Sequence, residues 1–116
     1  MAALTDLTWQ HLVEQLPEGA IKVDASGKVI IDVGVVTSRS TNNLTDAGVI
    51  KLFSALFSAA NKAQIAANES QLDGEKLTAF NPATIGAGSD GYVTLTRTFT
   101  CRSELATAMN IIGTNG

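Results

Sequence analysis

The chain has one cysteine, one histidine, one tryptophan and two prolines in 116 residues, and only 16% of it is charged. A lone Cys101 can close no internal disulfide, which agrees with a reducing compartment. One histidine and one cysteine are too few for a zinc site of the usual kind, and they leave only scattered carboxylates for any other metal. A serine or cysteine nucleophile usually wants a histidine base, and His11 has no nucleophile beside it in sequence. No two acids stand at a spacing that predicts proton transfer or glycoside cleavage. No catalytic residue, metal or cofactor is therefore assigned. An enzyme would need a cleft gathering at least two of Asp24, Asp32, Arg97 and His11.

Clustered basic residues are missing as well. The net charge is -3 and the pI about 4.9, with the eight Lys and Arg spread singly, which argues against a nucleic-acid surface. No apolar run approaches the ~18 residues of a membrane span, and residues 1–12 lack the basic start and apolar block of a signal peptide. A cytoplasmic location is the expectation. On the same ground the acceptor-like triplets at Asn43 and Asn68 carry no weight.

What the chain does have is apolar surface. Hydrophobic residues make up 45% of it, while the charged share falls well below the ordinary ~25%. At this length the expectation is a single domain over residues 1–116, with residues 113–116 fraying, that builds its core without metal or disulfide.

Residues 45–70 organise the rest. Thr45 and Asp46 suit a helix start, one as a cap and the other as an early carboxylate. From there Val49, Phe53, Leu56, Ala60, Ala63 and Ala67 recur at steps of four and three, the spacing of one helix face. Ile50, Leu52, Phe57 and Ala59 widen that stripe to about half the circumference, leaving Lys51, Ser54, Ser58, Asn61, Lys62 and Glu69 as the wet side. The first half of the stripe is bulky and the second is alanine. Small side chains admit a close backbone, so the alanine half faces either this domain's own sheet or first helix, or a second copy of the chain. The candidate interface is Ala55, Ala59, Ala63 and Ala66 together with Ile65, which is stranded on the polar side.

The flanking segments are shorter. Thr8 caps a first helix carrying Trp9, Leu12, Val13 and Leu16, and Pro17 stops it. Trp9 reads as a core or interface plug, or as a platform for a ligand. His11 falls on the solvent side. Ile21 and Val23, a turn at residues 25–28, then Val29, Ile31, Val33 and Val35 alternate as a hairpin. Residues 37–43 form either a plain connector or a small polar recognition loop.

After the long helix, Leu77 to Phe80 begins a strand that Asn81 and Pro82 interrupt, because proline cannot donate to a ladder. The hexapeptide from Gly86 to Gly91 spells G-x-G-x-x-G. It fails as a dinucleotide fingerprint, since the strand-like Tyr92 to Arg102 follows where a helix is required. It is read instead as a hairpin connection. In the returning strand Val93, Leu95, Arg97, Phe99 and Cys101 share one face, and Thr94, Thr96, Thr98 and Thr100 the other. Cys101 reads as a buried thiol. Arg97 among apolar neighbours needs an ion-pair partner, a place at the rim, or an anion to bind. Ser103 could cap a last helix bearing Leu105, Met109 and Ile112.

The order helix, hairpin, long helix, hairpin, helix gives an α+β class, with a four-stranded, mostly antiparallel sheet packed on the central helix. So broad an apolar rod points first to a non-catalytic module that self-associates as a homodimer through the helix or an open sheet edge. The alternative is a small-ligand or peptide binder, its pocket between the sheet and the alanine half, lined by Arg97 or Trp9. Process and partner identity lie beyond the sequence.

Overall fold

The computed structural model describes residues 3–39 and 42–101. Its elements run α1 (Trp9–Val13), β1 (Ile21–Val23), β2 (Val29–Ile31), α2 (Val33–Val36), α3 (Val49–Asn68), β3 (Thr84–Ser89) and β4 (Tyr92–Thr96), an α+β fold. The helix expected after Ser103 and the tail at residues 113–116 lie outside the described residues.

Thr8 caps α1 as its sequence suggests, and His11 completes the cap. The Thr8 hydroxyl accepts from the His11 N–H at 3.3 Å, while His11 Nδ1 accepts from the Thr8 N–H at 2.9 Å. This reciprocal pair satisfies two amides of the first turn. His11 is thus half-buried rather than free in solvent.

The first hairpin turns on Asp24. Its Oδ1 accepts from the Ser26 and Lys28 N–H groups, both at 2.9 Å, and Gly27 takes the left-handed position at φ 83°. The returning strand is shorter than its alternation implies. At Asp32 the chain leaves β2, because the Asp32 carboxylate accepts from the Val35 N–H at 3.2 Å and starts α2. A side-chain cap thereby overrides the β preference of Val33 and Val35. Val36 and Thr37 are buried by this turn, and the Thr37 hydroxyl donates to the Val33 carbonyl at 2.7 Å.

Helix α3 begins later than expected. Thr45 and Asp46 do not cap it; they close a turn around Asn43, whose Oδ1 accepts from the Thr45 N–H and hydroxyl at 2.9 and 2.7 Å. Gly48 precedes the first turn without a side-chain cap. The 20 residues of α3 span about 30 Å.

The strands do not form one four-stranded sheet. β1 pairs with β2 and β3 with β4, each pair an antiparallel two-stranded sheet. Three-residue strands, with β2 diverted into α2, leave no long edge on the first hairpin for the second to join.

What ties the second half of the chain to α3 is a set of carboxamides. Gln64 Nε2 donates to the Phe80 carbonyl while its Oε1 accepts from the Phe80 N–H, both at 2.9 Å. Asn68 holds Leu77 in the same two-point way at 2.8 Å, and Asn61 adds a second donor to the Phe80 carbonyl at 3.0 Å. Gln64 and Asn68 each present one donor and one acceptor, and Asn61 a donor alone, to a backbone that would otherwise lack strand partners on this side. Asn61, placed on the wet face by its polarity, belongs to this clamp.

The buried apolar residues among those described are Ala20, Val36, Ala59, Ala60, Ala63 and Leu77. Only two of the six are larger than alanine, so the core formed by the described residues is thin. The clamp predicts an order of stabilities. Asn68→Ala removes both partners of the buried Leu77 backbone and lowers unfolding free energy in urea by about 2–3 kcal/mol, whereas Asn61→Ala leaves Gln64 on Phe80 and costs under about 1 kcal/mol. Equal losses in the two variants would contradict the clamp.

Candidate functional site

The second hairpin is one long excursion broken at Pro82. Before the break, Phe80 bridges Phe99, the Asn81 N–H donates to the Thr98 carbonyl at 3.2 Å, and the Thr100 N–H donates to the Ala79 carbonyl at 2.8 Å. After it the ladder resumes as β3 and β4, with Ile85 opposite Leu95 and Ser89 opposite Tyr92. Asp90 at φ 53° and Gly91 at φ 82° fill the loop, the two positive angles of a type I′ turn. The glycine-rich hexapeptide is thus part of β3 and a hairpin turn, with no helix amino end behind it.

Between Gly86 and Gly88 the register shifts by a bulge. A methyl group on Gly88 would fall on the Tyr92 backbone, so the glycine is needed for the close approach of the two strands.

The base of this excursion sits on α3 through three rings. Phe57, on the helix, lies 6.5 Å from Phe80 and 5.3 Å from Phe99, and those two are 6.2 Å apart. Such centroid distances suit aromatic pairs. The rest of the hairpin has no such support: every residue of β3 and β4 is exposed. Ile85 is 72% exposed and Tyr92 79%, and Val93 and Leu95 are also open. The start of α3 is equally bare, with Ile50 86% exposed and Val49 and Phe53 exposed beside it. Other large apolar side chains, among them Val23, Val29, Leu44 and Leu72, are exposed as well, so the open apolar surface extends beyond these two stretches.

A separate cleft of about 380 Å³ opens where α1, β2 and α3 meet, lined by Leu7, Trp9, Leu12, Ile31, Phe53 and Phe57, with Asp6 as its one charged member. Trp9 stands on its rim, 54% exposed.

The alanine half of α3 is used within the protomer. Ala59 and Ala63 are buried, so they are not free to meet a second copy, and Ala63, Ala66 and Ala67 line one small cleft with His11, Glu14 and Gln15 of the first helix region. Ala55 is half-buried, while Ile65 and Ala66 are exposed. The bulky start of the stripe, expected to fill a core, is the part left open.

Arg97 is half-buried and its Nε donates to Ser54 Oγ at 3.4 Å, near the outer limit of a hydrogen bond. It has no salt-bridge partner among the described residues. It does not share a cleft with Trp9. Cys101 is exposed rather than buried, because the chain beyond Phe99 runs along the open side of the 77–80 segment. Asp24 and Asp32 are occupied with a turn and a helix cap, Asp32 also lying 3.9 Å from Lys22, and neither joins His11 or Arg97 in these clefts. Among the described residues no three His, Cys, Asp or Glu side chains group as metal ligands, and no helix is long and apolar enough to cross a membrane.

Sequence reasoning missed Gln64 and Asn68. The signal was the spacing: Asn61, Gln64 and Asn68 follow one another at three and four residues, a carboxamide line along one helix edge.

The two aromatic positions separate in consequence. Phe57→Ala unstitches the hairpin base and lowers stability by about 3 kcal/mol, whereas Trp9→Ala, at an open rim, costs about 1 kcal/mol in the same denaturant titration. The reverse order would place the main packing at the cleft instead. Comparison with known protein families, with curated proteins and with solved structures gives no match, so the chemistry of the surface itself is what bears on function.

Proposed function

We propose that this chain is a non-enzymatic, self-associating assembly module that works as a homodimer. The observation that carries the reading is the mismatch between a buried core made mostly of alanine and a set of exposed large side chains at Val49, Ile50, Ile85, Tyr92, Val93 and Leu95. A two-stranded hairpin is marginal in water by itself. Leaving β3 and β4 bare on both faces is costly, and a closed two-fold contact is the commonest way for a chain to shelter such surface. Low charge favours the same outcome, since few ionic groups stand in the way of desolvation.

The surface differs from the candidate interface of the sequence pattern. Ile65 and Ala66 remain available, but Ala59 and Ala63 do not, and the weight moves to the start of α3 and the second hairpin.

Sedimentation equilibrium at micromolar concentration tests the proposal. The expected mass is twice the 12.1 kDa of one chain, whereas a single-chain mass up to about 100 µM would overturn it.

The cleft supports a second reading, a small-ligand binder that accepts an apolar chain against Trp9 and Phe53. Its expected sign is a blue shift of Trp9 emission on adding a medium-chain fatty acid, with the mass of the protein unchanged. Emission that does not respond to such a ligand would remove it.

A further inference from the structure

We infer that the self-association proposed above, on which this step rests, runs through the free edge of β4, which pairs antiparallel with β4 of a second copy about a two-fold axis at Thr94. The occupant of the edge is thus this same strand.

Four observations select it. Among the described residues no strand pairs with the outer edge of β4, which leaves a row of backbone donors and acceptors without ladder partners. The competing edges are blunted. β3 follows Pro82 and carries Gly86, Gly88 and a bulge, while β1 and β2 have three residues each, with charged Asp24, Lys28 and Asp32 at their ends. By contrast β4 reads Tyr-Val-Thr-Leu-Thr, with no charge, glycine or proline, a sequence suited to strand pairing and unprotected against it.

The strand is also self-complementary. Antiparallel pairing centred on Thr94 sets Val93 opposite the partner's Leu95 and Tyr92 opposite the partner's Thr96. Because Ile85 already lies across from Leu95, an apolar row of Ile85, Leu95 and the partner's Val93 crosses three strands and ends at the partner's Gly88. Thr94 and Thr96 share the other face with Tyr92. The second hairpins of two copies would thereby form one four-stranded antiparallel sheet, while β1 and β2 stay apart from it.

Cross-linking of the full chain tests the register. In a Cys101→Ser background, Thr94→Cys should form a disulfide-linked dimer under mild oxidation, since symmetric antiparallel neighbours stand about 4.5–5.5 Å apart at Cα, within disulfide reach. Ile65→Cys, exposed on α3 away from the strand, should not. Leu95→Lys should weaken the dimer at least tenfold in sedimentation while leaving the helical circular dichroism signal intact. A wild-type chain that stays monomeric defeats both this interface and the self-association reading. A wild-type dimer that survives Leu95→Lys, with Ile65→Cys cross-linking and Thr94→Cys not, defeats the strand pairing alone and moves the contact to the helix.

Discussion

The two-point grip of Gln64 and Asn68 on the backbone of residues 77–80 is the constraint from which the rest of the second half follows. It fixes an extended segment alongside α3 with no sheet to hold it there, using side-chain amides where a neighbouring strand would supply peptide groups. Phe80, gripped at both its N–H and its carbonyl, then sets the position of Phe99 and so the direction in which the hairpin departs. Because the grip lies in the second half of the helix, the strands beyond Pro82 are free of it. They project, and the apolar residues they carry find no cover from the described parts of the same chain.

Burial along α3 shows the same division. Its alanine half accepts the first helix region closely and is the best-buried part of the protomer. Its bulky first turns are open to solvent. Large side chains fill cores only where enough neighbours converge on them, and at Val49 and Ile50 none of the short elements does.

Much of this was legible in the sequence, for reasons tied to strong local chemistry. The α+β class, the first cap at Thr8, the turn at Gly27, the break at Pro82 and the rejection of the glycine motif all rest on backbone geometry that few residue types permit. The failures share a different cause: a side chain spent on a neighbour that periodicity does not reveal. Asp32 converts a strand pattern into helix by capping, Asn43 draws Thr45 away from a helix start, and Asn61 leaves the wet face to reach Phe80. The single four-stranded sheet was inferred from counting hairpins, and nothing local determines whether two hairpins meet. Of the candidate positions, Ile65 in solvent follows from its place on the polar side, whereas Trp9, read first as a core or interface plug, stands open at a cleft rim, and the burial of Ala59 and Ala63 depended on where the first helix region docks.

The central claim is that the outer edge of β4 is open in one chain and paired between two. Hydrogen exchange at the amides of residues 92–96, followed over a range of protein concentration, reads this directly. The account predicts slow exchange at concentrations where the dimer is populated, and acceleration toward the rate of a frayed hairpin on dilution. Exchange that is equally fast at every concentration, or equally slow in a protein shown to be monomeric, would contradict it.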